Sequence, residues 1–338
     1  MFENVVQDKI VFSNKDFKLE NADLHIAFGI SANFTHPVGI LITSILENNK
    51  DIKIAFHIFA DGRISEIERS RFAKLSERYN AYISIYYLDN SAFIGLNDAE
   101  FTIAAYYRFA IPYQLKDVTE KFLYLDADMA AVNSFKPFLK IDFKGKTACV
   151  VEDFRLSYEP DYKPMLSKNN DGYFNSGMMY IDIKKWLKDN VSEKCMELLR
   201  EVNADPSQKK KYGYEFMCFD QDALNVVLKG KLIHLAPKFN YLCNISLKQN
   251  RHLRDVPGDT IIIHYHGFNK PWHEWCFHPL ARYFRQYKSI SPWHDVPLDT
   301  HPSKYRQMRL YAKYFRRKHQ LLKAAFWLVK SAVSKYSK

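Results

Sequence analysis

Two aspartates one residue apart, Asp126 and Asp128, close a short apolar run, Phe122-Leu123-Tyr124-Leu125. The run has the length and character of a buried strand, and it turns acidic abruptly. Side chains at i and i+2 on extended backbone point the same way. Two carboxylates so placed repel each other unless a cation lies between them, and acids are rarely buried without a partner. One reading is a hard divalent cation, Mn2+ or Mg2+, held by the carboxylate oxygens and shared with a phosphate. The other is a solvated turn with both acids facing water. A histidine closes a second apolar run, Ile261-Ile262-Ile263-His264. Alone it reads as a hydrogen-bonded core residue. Beside the two aspartates it fits as a third ligand for Mn2+, which accepts imidazole nitrogen with carboxylate oxygen.

Further groups follow His264. Gly267 lets backbone approach a diphosphate closely, Lys270 offers positive charge to phosphate oxygens, and Trp272 and His273 can shape a pocket floor. Arg108 reads either as a surface ion pair or as a bidentate contact to an anionic ligand. Each signal is weak alone. The ordered set Leu-Asp-Ala-Asp (125–128), Phe-Asn-Ser-Gly (174–177), Asp-Gln-Asp (220–222), His-Tyr-His-Gly (264–267) and Lys-Pro-Trp-His (270–273) is specific.

The elements that would carry these groups alternate in type. Strands are expected over 24–30, 52–60 and 81–88, with helices over 37–48 and 64–78 between them. Thr35 and Ser65 are placed to cap those helices, and Pro37 is tolerated in a first turn. Ordered structure is expected to begin near Asp23. A helix over 101–115 is interrupted by Pro112. Further strands are expected at 147–151, 178–183, 232–235 and 261–263, and helices at 192–202 and from Asp220, ending near Gly230. The stretch 154–172 reads as a loop beside the site, a lid or acceptor wall, and 203–214 as a polar surface turn. This alternation predicts an α/β fold with a mixed, mainly parallel sheet flanked by helices. In such sheets ligands bind at the carboxyl ends of the strands, where Ser31-Ala32-Asn33 and the aspartate pair both fall.

A chain of 338 residues, 47% apolar and 26% charged, can bury a large core. Five cysteines lack disulfide or metal-ligand spacing, which favours a reducing compartment. The start of the chain reads as no secretory signal, and no apolar run is long enough to span a bilayer. Eleven Lys and Arg and no acids lie between Thr300 and Lys338. Without them the chain's 49 basic residues fall to 38, matching its 38 acids, so the body is neutral and the net charge of +11 belongs to the tail. Charge confined to one end argues against nucleic acid as partner, which needs a basic face with stacking aromatics. Tyr311, Tyr314, Phe315, Leu321, Leu322, Phe326, Trp327 and Leu328 lie among those cations. They suggest basic amphipathic helices on an anionic membrane surface, against the alternative of a helix packed on the body with a solvated basic face.

With these motifs together, the chain resembles the retaining nucleotide-sugar glycosyltransferases of glycosyltransferase family 8, and within it the bacterial enzymes that add glucose or galactose to the lipopolysaccharide outer core. The resemblance spans roughly residues 24–295 and includes the basic C-terminal segment. It implies a GT-A (Rossmann-like) fold over 24–275, an N-terminal extension over 1–23 and a C-terminal helical extension over 276–338 that associates with membrane. It implies a UDP-glucose or UDP-galactose donor, Mn2+ or Mg2+, and a lipopolysaccharide core acceptor reached from the cytoplasmic face of the inner membrane. Another acceptor, such as capsule, another glycan or a protein, would keep the same donor chemistry. Carried over by position, Asp126, Asp128 and His264 resemble the metal ligands. Ala27, Asn33 and Arg108 fall where the family contacts the nucleotide or its sugar, and Gly267 and Lys270 where it contacts the diphosphate. Asp153, Asn175, Asp220 and Gln221 match positions around the donor sugar and the reacting carbon, with Glu152 competing for the place of Asp153. Ser31 stands where the family often carries Asp; it can hydrogen-bond uracil but supplies no carboxylate. Gln221 is a weak nucleophile, so same-face attack by the acceptor hydroxyl is expected, with the leaving phosphate as base.

Overall fold

Strands that read as unbroken apolar runs, rather than alternating ones, need cover on both faces, and a sheet flanked by helices supplies it. The computed structural model describes residues 2–14, 17–96, 103–154, 172–205, 218–246 and 252–336. The parts of the expected lid loop, surface turn and 101–115 helix that fall at 155–171, 206–214 and 101–102 lie outside the described residues. In chain order come β1 (Val6–Phe12), β2 (Leu24–Ile30), α1 (Thr35–Glu47), β3 (Ile54–Ala60), α2 (Glu66–Tyr79) and β4 (Tyr82–Leu88). Then follow α3 (Ile111–Leu115), β5 (Lys121–Leu125), β6 (Met129–Ala131), α4 (Lys136–Leu139), β7 (Ala148–Glu152), β8 (Phe174–Asp182), α5 (Ile183–Lys188) and α6 (Val191–Ala204). The last are α7 (Asp220–Val227), β9 (Leu232–Leu235), β10 (Tyr241–Leu242), β11 (Ile262–His264), α8 (Ala281–Ile290), α9 (Tyr305–Arg317) and α10 (Leu321–Tyr336).

Among the described residues the main sheet runs β1-β4-β3-β2-β5-β8-β7-β9. Only β1 and β8 oppose the common direction, so the sheet is mixed and mainly parallel, as expected. Every residue of β3 and β4 is buried. A fully buried Phe or Ile contributes about 1.5–3 kcal/mol, so runs such as Ile54–Phe59 hold the two helical layers together. β10, β11 and β6 form a second, small sheet.

Several expectations need correction. Order begins before Asp23: β1 pairs antiparallel with β4 at the sheet edge, and Phe2 and Val5 are buried. Thr35 does not cap α1; it is the first helical residue, and its hydroxyl donates to Ala32 O at 2.5 Å. Ser65 does cap α2, accepting from Glu68 N–H. Ile103–Phe109 is a 3-10 segment rather than α-helix, and Pro112 lies in the first turn of α3, where its missing N–H costs nothing. Phe174 to Gly177 lie inside β8 rather than before it.

Four buried polar side chains bridge the middle strands. His25 Nδ1 on β2 is 3.0 Å from His57 Nε2 on β3, and His57 Nδ1 is 3.0 Å from Ser84 Oγ and 3.2 Å from Tyr86 Oη on β4. Burial pushes the His25 imidazole down to about 4 and that of His57 well below its ordinary value.

At the C-terminus α9 and α10 form an antiparallel hairpin seated on Trp275 through Tyr311, Tyr314 and Phe315. Among the described residues no helix is long and apolar enough to cross a membrane.

Candidate active site

β5 ends at Leu125 and the chain bends through Asp126-Ala127-Asp128 before entering β6. The two carboxylates converge through this bend, not through strand alternation. β6 pairs antiparallel with β11, setting Met129 opposite His264, which brings the imidazole to the aspartates. Ligand atoms of Asp126, Asp128 and His264 all lie within 4.8 Å of one another. His264 Nε2 is 3.2 Å from Asp128 Oδ1. Two carboxylates and one imidazole suit Mn2+, and tolerate Mg2+.

The space for an ion depends on Gly177. A Cβ there would lie 2.5 Å from His264 Cε1 and 2.7 Å from Asp126 Oδ2. β8 bulges at this point: Val150 faces Met179, but Val151 faces Asn175. The bulge aims backbone, not a side chain, at the triad. This cradle, together with the donor set, is the observation that fits the triad to a divalent cation.

Lys270 reaches the outer side of the triad. Its Nζ is 2.5 Å from Asp128 Oδ2 and 2.8 Å from Tyr265 O. Burial pushes the Asp128 carboxyl up, but Lys270 and His264 overcome that and hold it well below the usual range. Gly267 has φ +92°, and a Cβ there would also meet Asn244 Oδ1 at 2.9 Å, so glycine is required twice over. Trp272 packs edge-on against Phe34 and His36, tying the 270–273 segment to the loop after β2. In that loop Asn33 is exposed and Ser31 buried, and Asp61 Oδ1 accepts from Ala32 N–H at 2.9 Å. His273 Nδ1 accepts from Lys270 N–H at 3.1 Å, and burial, with Lys270 adding to it, pushes this imidazole down to about 3.

Beneath the triad lies Arg108, buried rather than on the surface. Its five N–H groups meet Ala105 O, Ser176 O, Asp220, Tyr124 Oη and Asp126. The guanidinium also lies over the Tyr124 ring, 4.4 Å from its centroid. One buried cation therefore bridges a triad carboxylate, Asp126 at 3.0 Å, and Asp220 at 3.1 Å. Burial pushes the Asp220 carboxyl up to about 6 although Arg108 opposes it.

On the inner side, Gln221 and Asp220 open α7 after Phe219, which has φ +34°. Gln221 Oε1 accepts from Ser176 N–H at 3.0 Å and Asn175 Nδ2 at 3.2 Å. Its Nε2 donates to Asp153 Oδ2 and Tyr173 Oη, each at 3.1 Å. Tyr173 in turn donates to Asp222 Oδ1 at 2.6 Å. Asp153 is fully buried against Gln221, whereas Glu152 is partly exposed.

Ala27 is not in the site. It lies mid-strand in β2, fully buried, opposite His57 and Tyr124, three residues short of the sheet edge. The other expected residues, Ser31, Asn33, Asn175, Asp153, Asp220, Gln221, Gly267, Lys270, Trp272 and His273, flank the triad along the edge where β2 and β5 end, or in the network behind it. Sequence reasoning missed Gly177, Tyr124, Tyr173, Asp222 and Asn240. Gly177 stood in a noted motif; Tyr124 was hidden in an apolar run; Asn240, a single amide in a loop, carries no pattern at all.

Comparison with known proteins gives a consistent picture. The family model for "Glycosyl transferase family 8" matches residues 25–276, and that for "Glycosyl transferase family 8 C-terminal" matches 278–335. The lipopolysaccharide 1,3-galactosyltransferase of Salmonella typhimurium is 34% identical over 325 residues, 94% of this chain and 93% of that protein. The lipopolysaccharide glucosyltransferase WaaO of Escherichia coli is 34% identical over 311 residues, 90% of this chain and 88% of its own length. The crystal structure of galactosyltransferase LgtC in complex with donor and acceptor sugar analogues superposes with a TM-score of 0.63 at 22% identity, covering 84% of this chain and 99% of that one. That last likeness speaks to the fold.

Proposed function

Because this chain belongs to glycosyltransferase family 8, we propose that it is a retaining, metal-dependent hexosyltransferase moving glucose or galactose from a UDP-sugar to a hexose of the lipopolysaccharide outer core, with an α linkage. The observation that carries this reading is the convergence of Asp126, Asp128 and His264 around the gap that Gly177 leaves. Relatives named for lipopolysaccharide galactosyl and glucosyl transfer support the acceptor class.

In this reading Asp126, Asp128 and His264 hold Mn2+ or Mg2+, which when bound neutralises charge on the departing diphosphate. Lys270, within reach of Asp128, supplies a second positive group to the same oxygens. Gly267 allows backbone to approach the diphosphate, and the Ser31–Asn33 loop lies against the nucleoside. Arg108 keeps Asp126 and Asp220 in place without touching the donor. Gln221, with both ends of its amide held by protein, presents a fixed dipole to the sugar rather than a nucleophile. The acceptor hydroxyl attacks from the face the diphosphate leaves, and its proton passes to the departing phosphate oxygen.

The C-terminal hairpin serves the membrane-bound acceptor. On α10, Ala324 and Ser331 are buried while Leu322, Phe326, Val329, Val333 and Tyr336 are exposed. These five recur at intervals of three and four and form one apolar stripe. Lys323 and Lys330 flank it, and the tail carries no acids. Apolar insertion with flanking cations suits an anionic bilayer surface on the cytoplasmic side.

The test is a panel of UDP-sugars with Mn2+, with and without lipopolysaccharide truncated at successive core residues. One hexose donor should give transfer to one truncation. Transfer only to capsule, another glycan or protein would replace the acceptor, and no turnover of any UDP-sugar would overturn the reading.

A further inference from the structure

Behind the triad, polar side chains form one directional hydrogen-bond relay whose sense is fixed at its ends. The N–H of Ser176 can only donate, so it requires Gln221 Oε1 at 3.0 Å; the N–H of Gly177 likewise requires Asn175 Oδ1 at 3.1 Å. The Asn175 amide is thereby set with Nδ2 toward Gln221 Oε1, at 3.2 Å. Its oxygen must then accept at the other end, so Asn240 presents Nδ2 to it at 3.0 Å. That leaves Asn240 Oδ1 facing His264 Nδ1 at 3.1 Å. A carbonyl oxygen cannot donate, so Nδ1 carries the hydrogen. Nε2 is then the ring nitrogen turned to the side where Asp128 Oδ1 lies 3.2 Å away. Asn240 is fully buried, and the 3-10 turn Pro237–Phe239 delivers it to this place.

We propose that Asn240 is a positioning residue that locks His264 in its Nδ1–H tautomer with Nε2 poised as a ligand atom, and that Asn240 and Asn175 together tie this imidazole to Gln221. The proposal rests on the metal reading given above. It assigns to a residue outside every motif the task of choosing which ring nitrogen faces the ion. Partners of this kind fix ring orientation and basicity, and losing one typically weakens metal affinity by about 10- to 100-fold. The relay also gives the metal side and the sugar side a shared geometry: an amide flip at Asn240 would require one at Asn175, and that would break the bond to Gly177 N–H.

Two variants separate the two ends of Asn240. Asn240→Asp keeps an acceptor for His264 Nδ1–H but offers nothing to Asn175. Asn240→Leu removes both. The tautomer is read first, by 15N NMR of the histidine ring nitrogens in metal-depleted wild-type protein, with His264 assigned from its loss in His264→Gln. Mn2+ affinity is then followed by electron paramagnetic resonance of the free ion, without substrate. Expected are an Nδ1–H imidazole in the wild type, affinity kept or raised in Asn240→Asp, and affinity reduced by about 10- to 100-fold in a folded Asn240→Leu. A wild-type imidazole with no hydrogen on Nδ1 overturns the proposal, and that measurement decides it even if Asn240→Leu does not fold. Wild-type affinity in folded Asn240→Leu, or equal losses in both variants, overturns it as well. If wild-type protein bound no Mn2+, the metal reading would fall and take this one with it; a wrong tautomer sinks this one alone.

Discussion

Gly177 and His264 face each other so closely that a single added methyl would lie 2.5 Å from His264 Cε1. The same methyl would meet Asp126 Oδ2 at 2.7 Å, so one substitution presses on two of the three candidate ligands at once. Gly177→Ala should therefore displace the triad at a strain of about 1–3 kcal/mol. Mn2+ affinity by titration should fall at least tenfold, while far-ultraviolet circular dichroism stays unchanged. Unaltered affinity would mean that the ion, if bound, does not use this cradle.

Arg108 is the electrostatic counterweight to a buried carboxylate, Asp220, and a partly exposed one, Asp126. Arg108→Leu leaves Asp126 and Asp220 without their shared cation, and breaking a buried pair by removing one partner costs about 3–5 kcal/mol. Chemical denaturation should show that loss. Adding Asp220→Asn should restore part of it, because the buried charge is then gone. Strictly additive losses would contradict the bridging role.

The histidine pair in the sheet makes stability depend on pH with a definite sign. His25 is held neutral in the folded protein down to about 4, against an ordinary value of 6.5, because burial disfavours its charged form. Between these values the unfolded chain binds the proton and the folded one does not. Stability is therefore fully present above about 6.5 and falls as pH drops toward 4, by roughly 3 kcal/mol from His25 alone. His57, with its depressed value, adds in the same direction. Lys9 acts on the His57 charge, and Ser84 and Tyr86 hydrogen-bond its ring. A thermal melt series from pH 7.5 to 5 should be visibly flatter for His25→Gln than for wild type, and parallel series would refute the assignment.

The membrane reading is best tested on α10 by substitution, because removing the hairpin would also uncover Trp275. Phe326→Glu with Val329→Glu should abolish sedimentation with vesicles containing anionic lipid and leave transfer to a water-soluble acceptor intact. Undiminished sedimentation would exclude the α10 stripe as the contact.

How much of this was legible in the sequence follows from what each residue faces. β2 to β5 were legible because strands covered on both faces are written as apolar runs, and the aspartate pair and His264 because each breaks such a run. β1 was missed because an edge strand is half exposed: Val6–Phe12 alternates partly buried and exposed positions and mixes in Gln7, Asp8 and Lys9. The burial of Arg108 was not legible because Asp126 and Asp220, which ion-pair with it, come from the bend after β5 and from α7, far apart in the chain. Ala27 was misplaced because a run of small and apolar residues does not mark where the strand reaches the sheet edge. Asn240 was invisible because its importance lies entirely in the direction of two hydrogen bonds.

The central claim is that Asp126, Asp128 and His264 hold one divalent ion on which sugar transfer depends. The most direct measurement is release of UDP from the accepted UDP-sugar by wild-type and Asp128→Ala protein, each with Mn2+ and then with excess chelator. The account predicts turnover only for the wild type with Mn2+, and none for the variant in either condition. Full turnover by the wild type in chelator, or by Asp128→Ala with its rate unchanged, would contradict it.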